Sequence, residues 1–357
     1  VFPLFKRLPT LTSFSRPNRP CIEPTALLLA VSVGLGVALS SCAPSGSGSQ
    51  PTASLPNAAP VSTNRPSEAL KTVIRIGYQK YGTLFVVKAR GNLDERLKRE
   101  GVSVQWLQFP AGPQMLEALN AGSIDYGSTG ETPPILAQAA GAPLVYVANE
   151  PADPTGEAIL VSKNSAIKTV ADLKGKKVAL NKGSNVHYLL VQALAKAGLK
   201  YTDIQTSYLA PADGRAAFEK GDVDAWVIWE PYLTVAQKAL SARVLQDGQG
   251  LVANRQFYLA AKPFAEQYPD RVKVILDETQ NVDSWSKAHP EDAARILSPQ
   301  IGIDVATLTT ILKGRPSGLK LIQPDVVAYQ QQIADSFVTL GLVPKPIVVK
   351  DVAQAPN

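Results

Sequence analysis

Cysteine is almost missing from this chain of 357 residues: there are two, Cys21 and Cys42, beside two histidines and a single methionine. Both cysteines lie near the amino end, so the body of the chain has no thiol for a disulfide or a thiolate metal site. His187 and His289 are far apart and form no H-x-x-x-H pair, so a metal centre is not expected. There is no G-x-S-x-G elbow and no P-loop: Gly183-Ser184-Asn185 has neither the second glycine nor the lysine. His187, three residues after Ser184 at a helix start, reads as a supporting or surface residue rather than the base of a nucleophile. No carboxylate pair stands out as a general acid and base. Enzymatic activity therefore has no positive sign, and no cofactor is expected. The formal charge is +6, but no basic tract of five residues occurs, so the high isoelectric point is no argument for nucleic acid. The apolar run 26–39, with Ser32 its one polar residue, has 14 residues, short of the roughly 17–25 that span a bilayer as a helix.

What is present begins with that run. Lys6, Arg7, Arg16 and Arg19 precede it against one acid, Glu23, and small residues follow it, the pattern of a secretory signal. Leu39-Ser40-Ser41-Cys42 resembles the lipobox of bacterial lipoproteins. The resemblance implies that residues 1–41 are removed and that Cys42 becomes a lipidated first residue, anchoring the protein outside the cytoplasmic membrane. The alternative is an ordinary signal with Cys42 incidental. Removal would take three of the six net positive charges. Residues 42–71, rich in Pro, Ser, Ala and Gly, lack apolar periodicity and read as a flexible tether, with a reach of about 30 Å.

Order is expected from Val73-Ile74-Arg75-Ile76-Gly77-Tyr78 onward. Further strand patterns fall at 102–109, 124–128, 144–148, 158–161, 177–180, 224–229 and 256–260, with helical patterns between them, including 115–121, 185–197 and 215–220. Residues 263–342 are mostly helical in pattern. This alternation predicts an α/β fold with buried, mainly parallel sheets, and the length suits two lobes. An internal echo agrees. Gly122, Asp125 and Glu131 recur as Gly221, Asp224 and Glu230 at one offset of 99, each set marking a helix, a glycine turn, an acid, a strand and a strand-to-helix loop.

In open α/β sheets, ligands gather where strands lead into helices. The loops after Ile76, after Ser128, after Leu180 and after Ile228 are the candidates. The second, Ser128-Thr129-Gly130-Glu131-Thr132-Pro133-Pro134, places Thr132 as a cap and a proline at the first helical position. The third, Asn181-Lys182-Gly183-Ser184-Asn185, opens an amphipathic helix. Helix starts carry unpaired N–H groups and favour anions. Tyr78 and Trp229 could wall a pocket for an apolar ligand body, whereas Trp226 and Trp285 are expected in cores.

The runs 76–80, Phe109-Pro110-Ala111-Gly112-Pro113-Gln114, 129–134, Asn181-Lys182-Gly183-Ser184-Asn185-Val186-His187 and 223–229 closely resemble the aliphatic-sulfonate-binding proteins of ABC importers, within the nitrate, sulfonate and taurine family. The resemblance covers about 74–337. It implies a two-lobed periplasmic-binding-protein-like fold (type II) with the ligand cleft between the lobes. Lobe 1 would comprise 72–157 plus 254–342, lobe 2 158–253, and a tail 343–357, with crossings near 153–161 and 254–260. It also implies an extracytoplasmic monomer that takes up sulfonates for sulfur acquisition and partners a permease and its ATPase subunits. The implied ligand-binding set is Tyr78, Gln79, Thr129, Gly130, Glu131, Gly183, Ser184, Asn185 and Trp229. A sulfonate is ionised at any biological pH, so binding is expected to be nearly flat from about pH 5 to 9. A carboxylate beside an anion is costly, so Glu131 is expected to turn away, toward permease arginines together with Glu230. Alternatives within the fold are taurine, with Glu131 or Asp213 taking its ammonium, nitrate, or a pyrimidine vitamin precursor. A ligand-sensing lipoprotein is a further one.

Overall fold

The computed structural model describes residues 72–353. The signal, Cys42, the tether and the last four residues lie outside them. Among the described residues, no helix is long and apolar enough to cross a membrane.

Two five-stranded sheets organise the chain. The first contains β1 (Val73–Tyr78), β2 (Ser103–Gln108), β3 (Tyr126–Gly130) and β4 (Leu144–Asn149). The chain then crosses to the second sheet, β5 (Glu157–Val161), β6 (Lys177–Leu180), β7 (Gln205–Tyr208), β8 (Ala225–Trp229) and β9 (Arg243–Asp247). It returns to the first as β10 (Gln256–Ala261). The spatial orders are β2-β1-β3-β10-β4 and β7-β6-β8-β5-β9. They are the same order twice, with β3 and β8 in the middle. Those two are the strands of the 99-residue echo, and the echoed acids do the same work. Asp125 accepts the Arg75 N–H at 2.8 Å, and Asp224 accepts the Lys177 N–H at 2.8 Å, each fastening its turn to the neighbouring strand.

The sheets are mixed rather than mainly parallel. β1 pairs in parallel with β2 and β3, and β6 with β7 and β8. The crossing strands run the other way: β10 is antiparallel to β3 and β4, and β5 to β8 and β9. A strand that enters a sheet directly from the other lobe has no crossover helix to turn it round, which is why the expectation failed there. Burial explains which strands were easy to read. β5 and β8 are covered on both faces and are almost wholly apolar, whereas β7 and β9 are half-exposed edges of mixed composition.

Helices cover both sheets. α1 (Thr83–Arg90), α2 (Asn92–Lys98), α3 (Gly112–Asn120) and α4 (Thr132–Ala139) belong to the first half, and α5 (Asn185–Lys196), α6 (Pro211–Lys220) and α7 (Tyr232–Leu240) to the second. α8 (Lys262–Gln267), α9 (Pro269–Ala288), α10 (Pro290–Ile301), α11 (Val305–Gly314) and α12 (Pro324–Thr339) follow β10. α5 buries Val186, Leu189, Leu190, Ala193 and Leu194, the i, i+3, i+4, i+7 stripe. Each of its large apolar side chains contributes about 1.5–3 kcal/mol by leaving water. α12 packs between the halves: Phe337 lies edge-on to His187 of α5 at 5.6 Å, and Gln330 donates to the Glu131 carbonyl at 2.9 Å. Residues 343–353 continue this packing, with Val343 and Val349 buried and the Tyr146 N–H bonded to the Val352 carbonyl.

Candidate functional site

The carboxyl ends of the middle strands face each other across a cavity between the sheets. Gln79, Thr129, Gly130, Ser184, Asn185 and Trp229 all line it, brought together from β1, β3, α5 and β8. By the positions open to the centre of a water molecule it measures about 60 Å³. A water needs about 10–15 Å³ on that scale, so the cavity holds a few waters or a compact anion with a short organic part.

Asn185 is the joint of the site. Its Oδ1 accepts the Thr132 N–H at 3.1 Å, and its Nδ2 donates to Asn254 Oδ1 at 2.6 Å. One residue at the start of α5 thus holds the start of α4 and the returning segment before β10. Asn254 in turn donates to the Asp153 carbonyl at 2.7 Å, which ties the two crossing segments together. Several donors keep a hydrogen uncommitted to the protein. Gln79 uses one N–H on the Ser128 carbonyl at 3.2 Å, and Asn185 uses one on Asn254, which leaves each amide a second. Ser184, by contrast, spends its hydroxyl on the Asn181 carbonyl at 2.7 Å, so that it makes no side-chain cap and leaves the start of α5 open.

Three expected site residues lie elsewhere. Tyr78 is on the opposite side of β1 from the cavity, stacked on Phe85 at 6.0 Å and edge-on to Trp106, because consecutive strand residues point to opposite faces and Gln79 takes the cavity side. Gly183 lies behind the cavity wall: its φ of 76° needs glycine, and its N–H is held by His187 Nδ1 at 3.2 Å. His187 is buried and not on the surface, and burial, with help from Lys182, brings its imidazole down to about 4, so it stays neutral as the support of this loop. Thr132 is not a cap but the first helical residue of α4, and Pro133 and Pro134 remove two donors from that helix start. The donors are therefore concentrated on α5 and on side chains.

Glu131 does not reach outward. It is fully buried, Oε2 accepts the Arg255 N–H at 2.9 Å, and Oε1 has no partner. Burial pushes its carboxyl up to about 7, against the pull of the Arg255 and Asn254 N–H groups and the Arg255 charge. Glu157, also buried with neither oxygen bonded, is raised by burial and by Glu131 itself. Glu230 is turned inward as well, accepting the Thr234 hydroxyl at 2.6 Å and its N–H at 3.2 Å. Neither glutamate presents a carboxylate to a partner in this arrangement.

Glu131 also changes the expected pH behaviour. The unfolded chain ionises this group near 4.5 and the folded one near 7. Its contribution to stability is thus complete below about 4.5 and is lost as pH rises through 7. Once ionised it costs about 3 kcal/mol. Glu131→Gln is expected to flatten the fall in unfolding free energy between pH 5 and 8, measured by urea denaturation; a fall as steep as in the parent would reject this origin. Because Glu131 adjoins Gly130, an anion in the cavity should also bind less well above pH 7 than at pH 6, contrary to the flat profile expected from the ligand alone.

Other residues lining the cavity were not anticipated: Tyr81, Glu150, Asp153, Asn254, Gln256 and Arg315. Tyr81 lies in a loop already singled out, bridged to Gln79 across a bend that follows β1. Asp153 and Asn254 lie on the crossings. Arg315, between Gly314 and Pro316 in a turn after α11, carried only the weak signal of a charged residue in a rigid turn. It contacts Glu150 Oε2 and donates to Thr83 Oγ1 at 3.0 Å. Among the described residues, no three His, Cys, Asp or Glu side chains are grouped as metal ligands.

The NMT1/THI5-like family model matches residues 97–293. An Escherichia coli (strain K12) relative named for aliphatic sulfonate binding is 48% identical over 287 residues, covering 80% of this chain and 89% of the relative. The crystal structure of the periplasmic aliphatic sulphonate binding protein SsuA from Escherichia coli superposes with a TM-score of 0.73 at 47% identity, over 80% of this chain and 93% of that one. The alkanesulfonate-binding protein SsuA from Xanthomonas axonopodis pv. citri, bound to MOPS, gives 0.75 at 40% identity, over 79% and 97%. With the fold, the cleft and these likenesses together, the chain belongs to the NMT1/THI5-like family, in the group of SsuA-type binding proteins.

Proposed function

We propose that this protein is the extracytoplasmic substrate-binding component of an ABC importer, capturing aliphatic sulfonates between its lobes and delivering them to the permease and its ATPase subunits for sulfur acquisition. The observation that carries the reading is the cavity itself, supplied from both lobes with neutral donors: Gln79, Thr129, Asn185 and the start of α5. A sulfonate stays ionised and has three acceptor oxygens, so it asks for donors and for no proton acceptor. Each hydrogen bond to a charged group contributes about 1.5–3 kcal/mol, and four or five, less desolvation, reach the roughly −8 kcal/mol of micromolar binding. Trp229 supplies an apolar wall for the organic part. The likeness to SsuA proteins supports the ligand class, and the MOPS held by one of them is itself a sulfonate. The protein would act as a monomer, without catalysis, held to the membrane by a lipid on Cys42.

Calorimetry on the full chain, unfolded and refolded to strip carried-over ligand, tests this. Short alkanesulfonates are expected to bind at micromolar or tighter affinity, with nitrate and sulfate silent. Binding of nitrate or sulfate with alkanesulfonates silent would keep the import role and overturn the ligand.

A further inference from the structure

Helices from the two sheets also meet outside the ligand cavity. α7 packs on β5 and β8 of the second sheet, and α11 packs on α9 and α10 over the first. Between α7 and α11 lies an outer groove with about 520 Å³ open to the centre of a water molecule. Tyr232, Val235 and Ala239 form one side of it, and Ile301, Ile303 and Asp304 the other. A bond spans the groove: the Lys238 ammonium of α7 donates to Thr307 Oγ1 of α11 at 2.9 Å. Shared walls connect this groove with the cavity. Lys80, Pro231 and Ile301 line both the groove and a smaller inner pocket, and Tyr81 and Arg315 line both that pocket and the cavity.

Thr307 is a prepared acceptor. It is buried, its hydroxyl donates to Asp304 Oδ2 at 2.7 Å, and its N–H donates to Asp304 Oδ1 at 2.8 Å. The hydroxyl hydrogen is thereby committed to Asp304, and the oxygen's lone pairs are left for Lys238. Asp304 is the N-cap of α11, where a lysine would by itself work against the helix dipole. The capping carboxylate offsets that repulsion. Its own proton affinity is held below the ordinary range by the Thr307 hydroxyl and N–H, with the Lys238 charge adding. Lys238 also stands in the last turn of α7, where the dipole favours a cation. Of the groove's other bases, Arg215 is paired with Glu219 at 2.6 Å and so does not compete for Asp304.

We propose that Lys238 is a positioning residue for ligand retention: its bond to Thr307 is a latch that holds the lobes closed on a bound sulfonate and breaks before the ligand leaves. The inference rests on the sulfonate reading of the cavity. Lys238 and Thr307 do not line that cavity, so the latch does not choose among ligands. Any parting of the lobes separates α7 from α11 and breaks the bond, so its contribution falls on the closed form alone. It therefore slows release and leaves encounter unchanged. Because the groove opens to water, salt weakens the latch.

The test is stopped-flow tryptophan fluorescence on the full chain with butane-1-sulfonate, which gives association and release rates separately. Lys238→Met is expected to raise the release rate about fivefold and to leave the association rate within about twofold of the parent. Lys238→Arg, which keeps the cation and its donors, is expected to restore slow release. High salt should quicken release from the parent and not from Lys238→Met. Thr307→Val removes the acceptor at nearly constant volume and should quicken release as Lys238→Met does, with no further gain in the double variant. Parent-like release in Lys238→Met, or fully additive effects in the double variant, overturns the inference while leaving the sulfonate reading intact. Failure of the parent to bind butane-1-sulfonate overturns the sulfonate reading and the inference with it.

Discussion

Gly130→Ala is expected to weaken sulfonate binding by about a hundredfold. The backbone at Gly130 is one that alanine adopts freely, so the effect comes from crowding: a Cβ built there falls on the Asn185 side-chain amide, far inside van der Waals contact. That amide holds the Thr132 N–H and Asn254 Oδ1. Displacing it forfeits two hydrogen bonds of about 1 kcal/mol each and leaves the buried Thr132 N–H without a partner, for a total of about 3 kcal/mol, or roughly two decades of affinity. The bonds join elements of both lobes, so the loss falls on the closed arrangement that encloses a ligand. Titration calorimetry on the single variants and the double variant separates this from a local defect. In an Asn185→Ala background, where the obstructing amide is gone, Gly130→Ala should cost less than about threefold, because the two changes remove one and the same interaction. Parent-like affinity in the single variant would sink the account.

Arg315→Met is expected to cost about 3–5 kcal/mol of folding stability. The side chains of Arg315 and Glu150 are 11% and 4% exposed, and burial works against the arginine's charge, which Glu150, Tyr81 and Tyr258 together outweigh. Removing the arginine leaves Glu150 buried with hydroxyl donors from Thr83 and Tyr258 but no counter-charge. A buried ion pair is weak evidence of net stabilisation, yet a broken one is costly, so the two single variants and the pair should differ sharply. Glu150→Leu alone should also destabilise by several kcal/mol, because it leaves the Arg315 charge buried without a partner. The combination Glu150→Leu with Arg315→Met should recover much of the loss. Denaturant titration of the three chains gives the coupling directly; additive losses would show that the pair acts as two independent side chains.

Much of this site was legible because of where strands end. Gln79, Thr129 and Trp229 directly follow or close a strand of the predicted α/β pattern, Ser184 ends the loop that leads from such a strand into a helix, and the topology then had to bring them together. The 99-residue echo was legible because Asp125 and Asp224 each do one local job, fastening a turn to the adjacent strand, and a local job leaves a local pattern. Arg315 and Glu150 were not legible because their meaning is a contact between residues 165 positions apart. Tyr78 was misplaced because the strand's alternation had not been carried through its last residue. β7, Gln205–Tyr208, and β9, Arg243–Asp247, escaped notice because edge strands need no continuous apolar run; what marks them is their partner. The mixed direction of the sheets was hidden for a related reason, since strand direction is a property of the connection and not of the strand.

The two crossings carry a mechanical consequence. They run side by side and are bonded to each other, Asp153 to Ala253 and Asn254 to Asp153. A single strap between two bodies allows bending and twisting alike. Two straps laced together resist twist and shear and leave one soft direction, like a book opening on its spine. Ligand occupancy would then be written into a single coordinate, the opening angle, and a permease reading the outer rims of the two lobes would need to sense only that one quantity to tell a loaded carrier from an empty one.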